Sequence, residues 1–337
     1  MIIFAIASLI PAALLAAACL WGGNWPVLAV LSITVVVFFL DKLGRVIPVQ
    51  EADGRWLSYT LAAAHFVLLL LGVWSLRAAP YLSGWDKLLI FFGLGLFFGQ
   101  ISNSNAHELI HARGRLPRRI GAAVYISLLH GHHVSAHLRV HHVYAATDDD
   151  PNSARAGEGF YAYAARVFKQ EFGAGLLAET AHRARASSDL KTLSHPYLSY
   201  VSGGALTLAI SFVIAGFTGV IALLAIAAYA QLQLLLSDYV QHYGLRRCTR
   251  QDGRTEPVGP QHSWNAPAWY SSAMMLNAPR HSDHHLRPAR AFPQLEITPE
   301  TMPVLPHSLP VMAVVALVPP LWRRVMDHRV AKWQKTA

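Results

Sequence analysis

Apolar residues in this chain run on for longer than the alternation of a strand or the one-sided stripe of a soluble helix would require. Between Ile2 and Leu20 the only interruptions are Ser8, Pro11 and Cys19. A helix needs about 20 apolar residues to cross the hydrocarbon core of a bilayer. On that measure six spans are predicted, at roughly 1–21, 25–40, 57–76, 87–104, 199–216 and 218–236. Two long mixed segments, 105–198 and 237–337, are left over and read as a cap on one side of the membrane. Within them a short apolar helix is expected at about 120–130 and a longer one at about 159–187. The apolar run Val311 to Leu317 is too short to cross and should lie at the interface or pack on the cap. With no internal repeat and no low-complexity linker, residues 1–337 read as one all-α membrane domain.

Composition agrees. Hydrophobic residues make up 53% of the chain and charged residues 14%, against the ~25% charge of an ordinary soluble domain. The string Leu15-Ala16-Ala17-Ala18-Cys19 resembles a lipoprotein cleavage site. No Lys or Arg precedes the apolar stretch, however, so a retained span is expected rather than a signal peptide.

Charge then orients the spans. Of the 28 Lys and Arg, 11 lie in 103–198 and 12 in 237–337, whereas the short turns near Gly22 and Gly219 have none. Because basic loops stay on the cytoplasmic side, both long segments, both termini and the loop 41–55 with Lys42, Arg45 and Arg55 are expected there. In a bacterium this means a multi-pass protein of the inner, cytoplasmic membrane. The same bias accounts for the net charge of +9 without a nucleic-acid partner. Cys19 and Cys248 are too isolated to form a disulfide framework, a zinc ribbon or a CxxC electron-transfer module.

The chain has 18 histidines, and nine of them fall into four tight groups. These are His107 and His111 in HELIH; His137, His141 and His142 in HLRVHH; His242 in DYVQHYG; and His281, His284 and His285 in RHSDHH. On a helix, positions i, i+3 and i+4 share a face, so each multi-histidine group can aim its rings at one point. Neutral imidazole suits Fe, Zn, Cu and Ni, and nine rings exceed what one ion can use, so two ions are expected. Of the others, His133 is the nearest to joining the set, four residues before His137. His65, His130, His132, His182, His195, His262, His307 and His328 are expected to be ordinary surface or core residues.

These motifs, with HLRVHH followed by ATDDDPNSAR and with QHSWN ahead of RHSDHH, resemble the bacterial membrane alkane monooxygenases within the fatty-acid desaturase and hydroxylase superfamily. The likeness covers about residues 103–290, in the same order. It implies two irons held by the nine histidines, with O₂ as co-substrate. Departures mark a divergent member: Ala136 stands where a Glu is usual, Val140 for a Gly, Asp238 for an Asn and Gln241 for a Glu. An alkylaromatic or terpene-like hydrocarbon is therefore open as substrate beside an alkane.

The chemistry fits such a centre. An unactivated C–H bond offers neither an acidic proton nor an electrophilic carbon, so a metal and O₂ must supply the oxidant. Glu108, Asp149, Asp150, Asp238 and Asp283 adjoin the motifs and are expected to orient imidazoles by hydrogen bonds. Phe91, Phe92, Phe97 and Phe98 of the fourth span are expected to line a substrate channel from the bilayer. With no redox cysteines and no dinucleotide fingerprint, turnover would need a rubredoxin or ferredoxin and its reductase. Arg113, Arg115, Arg118, Arg119, Arg246, Arg247 and Arg250 are candidates for that donor's docking face.

Three other readings compete. HELIH also fits the HExxH motif of zinc proteases, although that explains only two of the nine clustered histidines. A desaturase would use the same di-iron site. A metal transporter or sensor would spread its ligands along a path, whereas here they gather on one side.

Overall fold

The computed structural model describes residues 1–44, 46–186 and 194–336; Arg45 and the last residue of the helix expected at 159–187 lie outside them. Among the described residues the chain is helical throughout, and its extended segments make only isolated bridges, such as Asn265 to Val304. Four helical runs are long and apolar enough to cross a membrane: Ile2–Trp21, Arg55–Arg77, Gly84–His111 and Pro196–His242.

The first half of the chain builds antiparallel pairs through tight turns. Helix α1 (Ile2–Trp21) ends at Gly22, whose φ of 63° suits a residue without a Cβ. The second apolar segment is broken into α2 (Trp25–Ile33) and α3 (Val35–Asp41). At the break Thr34 leaves helical geometry, and its hydroxyl donates to the Val30 carbonyl at 2.7 Å. Helix α4 (Arg55–Ala78) is followed by α5 (Gly84–Leu96), which starts from a reciprocal cap between Ser83 and Asp86. A π-helical turn, Phe97–Ser102, carries α5 without interruption into α6 (Asn103–His111). The fourth apolar run thus continues to the second HELIH histidine rather than ending near residue 104.

The cap follows: α7 (Arg115–Ser127), α8 (His133–Ala136), a second π-helical turn at His137–His141, α9 (His142–Tyr144) and the long α10 (Phe160–Ala186). Next comes α11 (Pro196–His242), a 47-residue run interrupted at Ala215 and Gly216. Its two arms fold back on each other. Tyr200 packs on Gly131 and the Gln231 amide donates to the Leu128 carbonyl, while at the far end Thr218 accepts from Arg77. The segments expected at 199–216 and 218–236 are therefore the arms of one hairpin.

The chain ends with α12 (Trp269–Met274), α13 (His281–Leu286), α14 (Leu309–Ala316) and α15 (Pro319–Thr336). The short apolar run near 311–317 forms α14, which packs against α11 and α15. Trp322 of α15 is fully buried against Tyr239 and Tyr243, anchoring the C-terminal helix to the end of α11.

Glycines set the closest helix approaches. A Cβ on Gly95 would fall 1.8 Å from the Tyr229 ring, and one on Gly99 would fall 2.3 Å from Gln233 Cβ, so α11 lies directly on the end of α5.

Candidate metal centre

All nine clustered histidines meet at one end of the bundle, where α6, the second π-helical turn, the end of α11 and α13 converge. Their ring nitrogens fall into two adjoining groups: His107, His111, His137, His142 and His284 in one, and His141, His242, His281 and His285 in the other. The grouping differs from the expectation that each motif serves one point. HLRVHH gives His137 and His142 to the first group and His141 to the second, and RHSDHH likewise parts His284 from His281 and His285. The cause is local geometry. A π-helical turn bonds i to i+5 rather than i+4, which brings His137 and His142 into line and turns His141 aside.

The contacts among the rings test whether they suit metal ions. In the first group Nε2 atoms face one another: His111 to His137 at 3.0 Å, His137 to His142 at 3.0 Å, and His142 to His284 at 3.1 Å. In the second, His242 and His285 stand 2.8 and 3.1 Å from His281 in the same way. The Nε2 atoms of His107 and His141 are buried with no hydrogen-bond partner. Lone pairs crowded at about 3 Å repel unless a cation lies among them, and metal–nitrogen bonds of about 2.0–2.1 Å give that spacing between neighbouring ligands. Burial, then the neighbouring rings, hold His137, His142, His281, His284 and His285 well below the usual imidazole range. These rings are thus neutral, the form that binds metal.

One carboxylate orients one of these rings. Asp150 accepts from His141 Nδ1 at 2.9 Å and is itself held by the Ser153 hydroxyl at 2.7 Å and the Asn152 amide at 3.0 Å. Burial pushes the Asp150 carboxyl up, but the His141 ring and these donors more than offset it and leave it below the usual range. For His141 burial pulls downward, and Asp150 reverses the balance so that its basicity rises.

The other four acids do not hold an imidazole. Asp149 is exposed at a turn. Asp283 accepts from Arg290 at 2.9 Å and from the Glu296 amide at 3.0 Å, tying α13 to the segment that follows it. Asp238 accepts from the Asn152 side chain at 2.9 Å, and Glu108 accepts from the Phe292 amide at 3.3 Å. Sequence position placed these acids beside ligands, but Asp149 lies on an exposed turn and helical rotation turns Glu108, Asp238 and Asp283 elsewhere.

The phenylalanine channel also needs correction. Phe97 and Phe98 are fully buried, with Phe98 packed on His65, while Phe91 and Phe92 pack on Tyr229. On this helix the apolar cavity beside the centre is lined instead by Leu96, Gly99, Gln100 and Ser104, with Tyr229 between it and Phe91 and Phe92. Among the arginines, Arg113, Arg115, Arg118, Arg119 and Arg250 are exposed. Arg246 and Arg247 donate to the carbonyls of Thr147 and Val143 and so brace the loop after the ligand turn.

Several residues escaped the sequence reading. Asn265 of QHSWN accepts from the Ser282 amide at 2.9 Å and donates to the Ser282 hydroxyl at 2.7 Å, fixing the start of α13. Trp264 is buried and bonded through both nitrogens to the carbonyls of Gln241 and Tyr243. Together they link the motif on α11 to the motif on α13. A third group joins His130, His133 and Glu171. Glu171 accepts from His133 Nδ1 at 2.6 Å and from His130 Nε2 at 3.1 Å. The small Ala136 lets α10 close here, since Gly175, one turn beyond Glu171, rests on its backbone. No spacing rule could pair Glu171 with histidines some 40 residues away.

Comparison with known proteins accords with this site. The family model for fatty acid desaturase matches residues 83–315. Alkane 1-monooxygenase 2 of Pseudomonas aeruginosa is 30% identical over 92% of this chain and 85% of its own length. An alkane 1-monooxygenase of Acinetobacter baylyi is 33% identical over 74% and 61%. The hydroxylase component XylM of a Pseudomonas putida xylene/toluene monooxygenase is 30% identical over 64% and 57%. With its histidine clusters at the end of a bundle of apolar helices, the chain is an oxidoreductase and belongs to the fatty acid desaturase family.

Proposed function

We propose that this protein is a membrane di-iron monooxygenase that hydroxylates an unactivated C–H bond, at a terminal methyl, of an alkane or a similar lipophilic compound. The observation that carries the reading is the convergence of nine buried or partly buried imidazoles into groups of five and four. His107, His111, His137, His142 and His284 would hold one iron and His141, His242, His281 and His285 the other. Bound there, reduced iron would supply the electrons that activate O₂ for attack on the C–H bond.

The protein's own residues do the rest. Asp150 keeps the His141 proton on Nδ1 and leaves Nε2 free to bind. Asn265 and Trp264 hold α13 in register, so that His281, His284 and His285 reach both groups. Buried walls around the rings exclude water. In the membrane the chain crosses six times, with the two arms of α11 counted separately and the broken pair α2 and α3 counted as one. The centre and both termini face the cytoplasm, and the exposed arginines of 113–119 with Arg250 receive a rubredoxin or ferredoxin donor. The alkane and xylene/toluene monooxygenases among the relatives support a lipophilic substrate.

Product analysis with isotope-labelled dioxygen tests the reaction. Labelled alcohol is the expected product. An unlabelled alkene would make the protein a desaturase, the activity for which its family model is named. Iron at about two per chain is expected from elemental analysis. Stoichiometric zinc without iron would overturn the di-iron reading.

A further inference from the structure

Two cavities share a border beside the centre. The larger, about 690 Å³, lies between α3, the end of α5, α11 and α14, and apolar residues such as Val35, Phe38, Leu236 and Val314 line most of it. The smaller, about 50 Å³, is lined by His107 and His137 of the first histidine group and by His281 of the second. By volume this inner chamber takes about three to five water-sized groups, enough for the end of a carbon chain and no more. Gly99, Ser104 and Ser237 border both cavities, so the large one leads to the histidines between them.

The two helices that carry these residues are held at contact distance. Gly99 lies so close to Gln233 that a Cβ there would fall 2.3 Å from the Gln233 Cβ, and the Asn103 side chain donates to the Ala230 carbonyl at 3.2 Å. With the backbones fixed in this way, the width of the passage is set by the side chains at its border. Ser104 follows Asn103 directly and Ser237 lies one turn beyond Gln233, both on the way to the histidines. Both are half-buried, and both hydroxyls are engaged within the protein. Ser104 donates to the Gln100 carbonyl at 2.7 Å and Ser237 donates to Gln241 Oε1 at 3.0 Å. They offer the passage small bulk rather than a hydrogen-bonding handle.

We propose that Ser104 and Ser237 determine specificity by the shape of the chain end, passing an unbranched end to the histidines and stopping a branched one. The body of the substrate stays in the large cavity, and the chain enters the inner chamber end first. His107 lies three residues beyond Ser104, a rise of about 4.5 Å, so an end that clears the serines is already among the rings. A tert-butyl end carries two methyl groups more than a linear one at the same point of the chain, and the fixed helices leave no room to yield. The chemistry that follows rests on the monooxygenase reading, whereas the selection rests on the two cavities and the serines between them.

The experiment compares n-dodecane with an alkane of equal length that has a tert-butyl group at each end, so that neither end is linear. Iron-loaded enzyme reconstituted with an electron donor should show a kcat/KM at least about tenfold higher for n-dodecane, the discrimination that surplus methyl groups meet in a tight apolar pocket. Replacing both serines, Ser104→Gly with Ser237→Gly, should bring the ratio close to one. Ser104→Leu should lower turnover of n-dodecane by about tenfold or more while iron content and thermal midpoint hold. If either variant loses iron or stability, the other decides. Equal use of the two compounds by the wild-type enzyme, a ratio that the paired glycines leave in place, or full n-dodecane turnover by Ser104→Leu each overturns the proposal and leaves the monooxygenase reading intact. If neither compound is oxidised, the monooxygenase reading fails. Anaerobic equilibrium binding of the same two compounds then decides the selection: tighter binding of n-dodecane that the paired glycines abolish supports it, and equal binding to the wild-type protein overturns it.

Discussion

The nine-histidine centre and the cluster of His130, His133 and Glu171 are neighbours, yet they solve the burial of imidazole in opposite ways. In the first, ring nitrogens face ring nitrogens at 2.8–3.1 Å. In the second, both rings turn to a carboxylate that takes a bond on each oxygen. Histidines that share an acid are satisfied by protons alone, whereas histidines that face only one another call for a cation. The partners rather than the count of histidines tell a metal centre from a structural knot.

The largest expected effect is at the centre itself. His281→Ala removes the ring that both His242 and His285 face, so iron in the second group and turnover should both be lost, the latter by more than about a hundredfold. Elemental analysis beside the activity assay would check it, and full iron retention would erase the contrast. Asp150→Asn should cost about 10–100-fold in activity or iron affinity, because the His141 ring loses its anionic partner. Metal titration of the variant measures this.

Glu171→Gln should leave iron content near the wild-type value while lowering stability by about 1–3 kcal/mol, read as a drop in the thermal midpoint. A loss of iron here would mean that the two clusters are one. This knot should also be acid-sensitive. Burial holds the His130 ring down at about 4, below its unfolded value near 6.5, so the unfolded chain takes up protons first. Its contribution is complete above pH ~6.5 and fades as pH falls toward ~4. Hydrogen exchange around α8 across that window would follow it. The smallest effect is expected for Asp149→Asn, an exposed turn residue, with stability changed by less than about 0.5 kcal/mol and iron unaltered.

Much of the centre was legible because metal ligation imposes residue type and spacing together, and every histidine taken from HELIH, HLRVHH, DYVQHYG and RHSDHH arrives at one place. Their partition was not legible. It depends on a π-helical turn in HLRVHH and on the rotation of His284 away from His281 and His285 in α13, neither of which the spacing announces. The acids show the same limit. Asp150 and Asp149 are adjacent in sequence, but one is buried against His141 and the other faces solvent. The phenylalanines failed because apolar periodicity shows that a helix is buried without showing which face meets a cavity. Of the six apolar segments, the second is two short helices and the last two are the arms of one long helix. Hydropathy shows neither the break at Thr34 within a segment read as one rod nor the turn at Gly216 that joins two segments read as separate rods.

The π-helical turn at His137–His141 has a consequence for how this protein can change over generations. Such a turn spends one residue more than an α-helical turn, and one segment here serves both histidine groups. Deleting a single codon, that of Val140 for example, would restore ordinary register and swing His141 and His142 by about 100° around the axis. Both groups would be lost together, although no histidine had been replaced. A lineage can therefore explore this turn only by substitution and never by length.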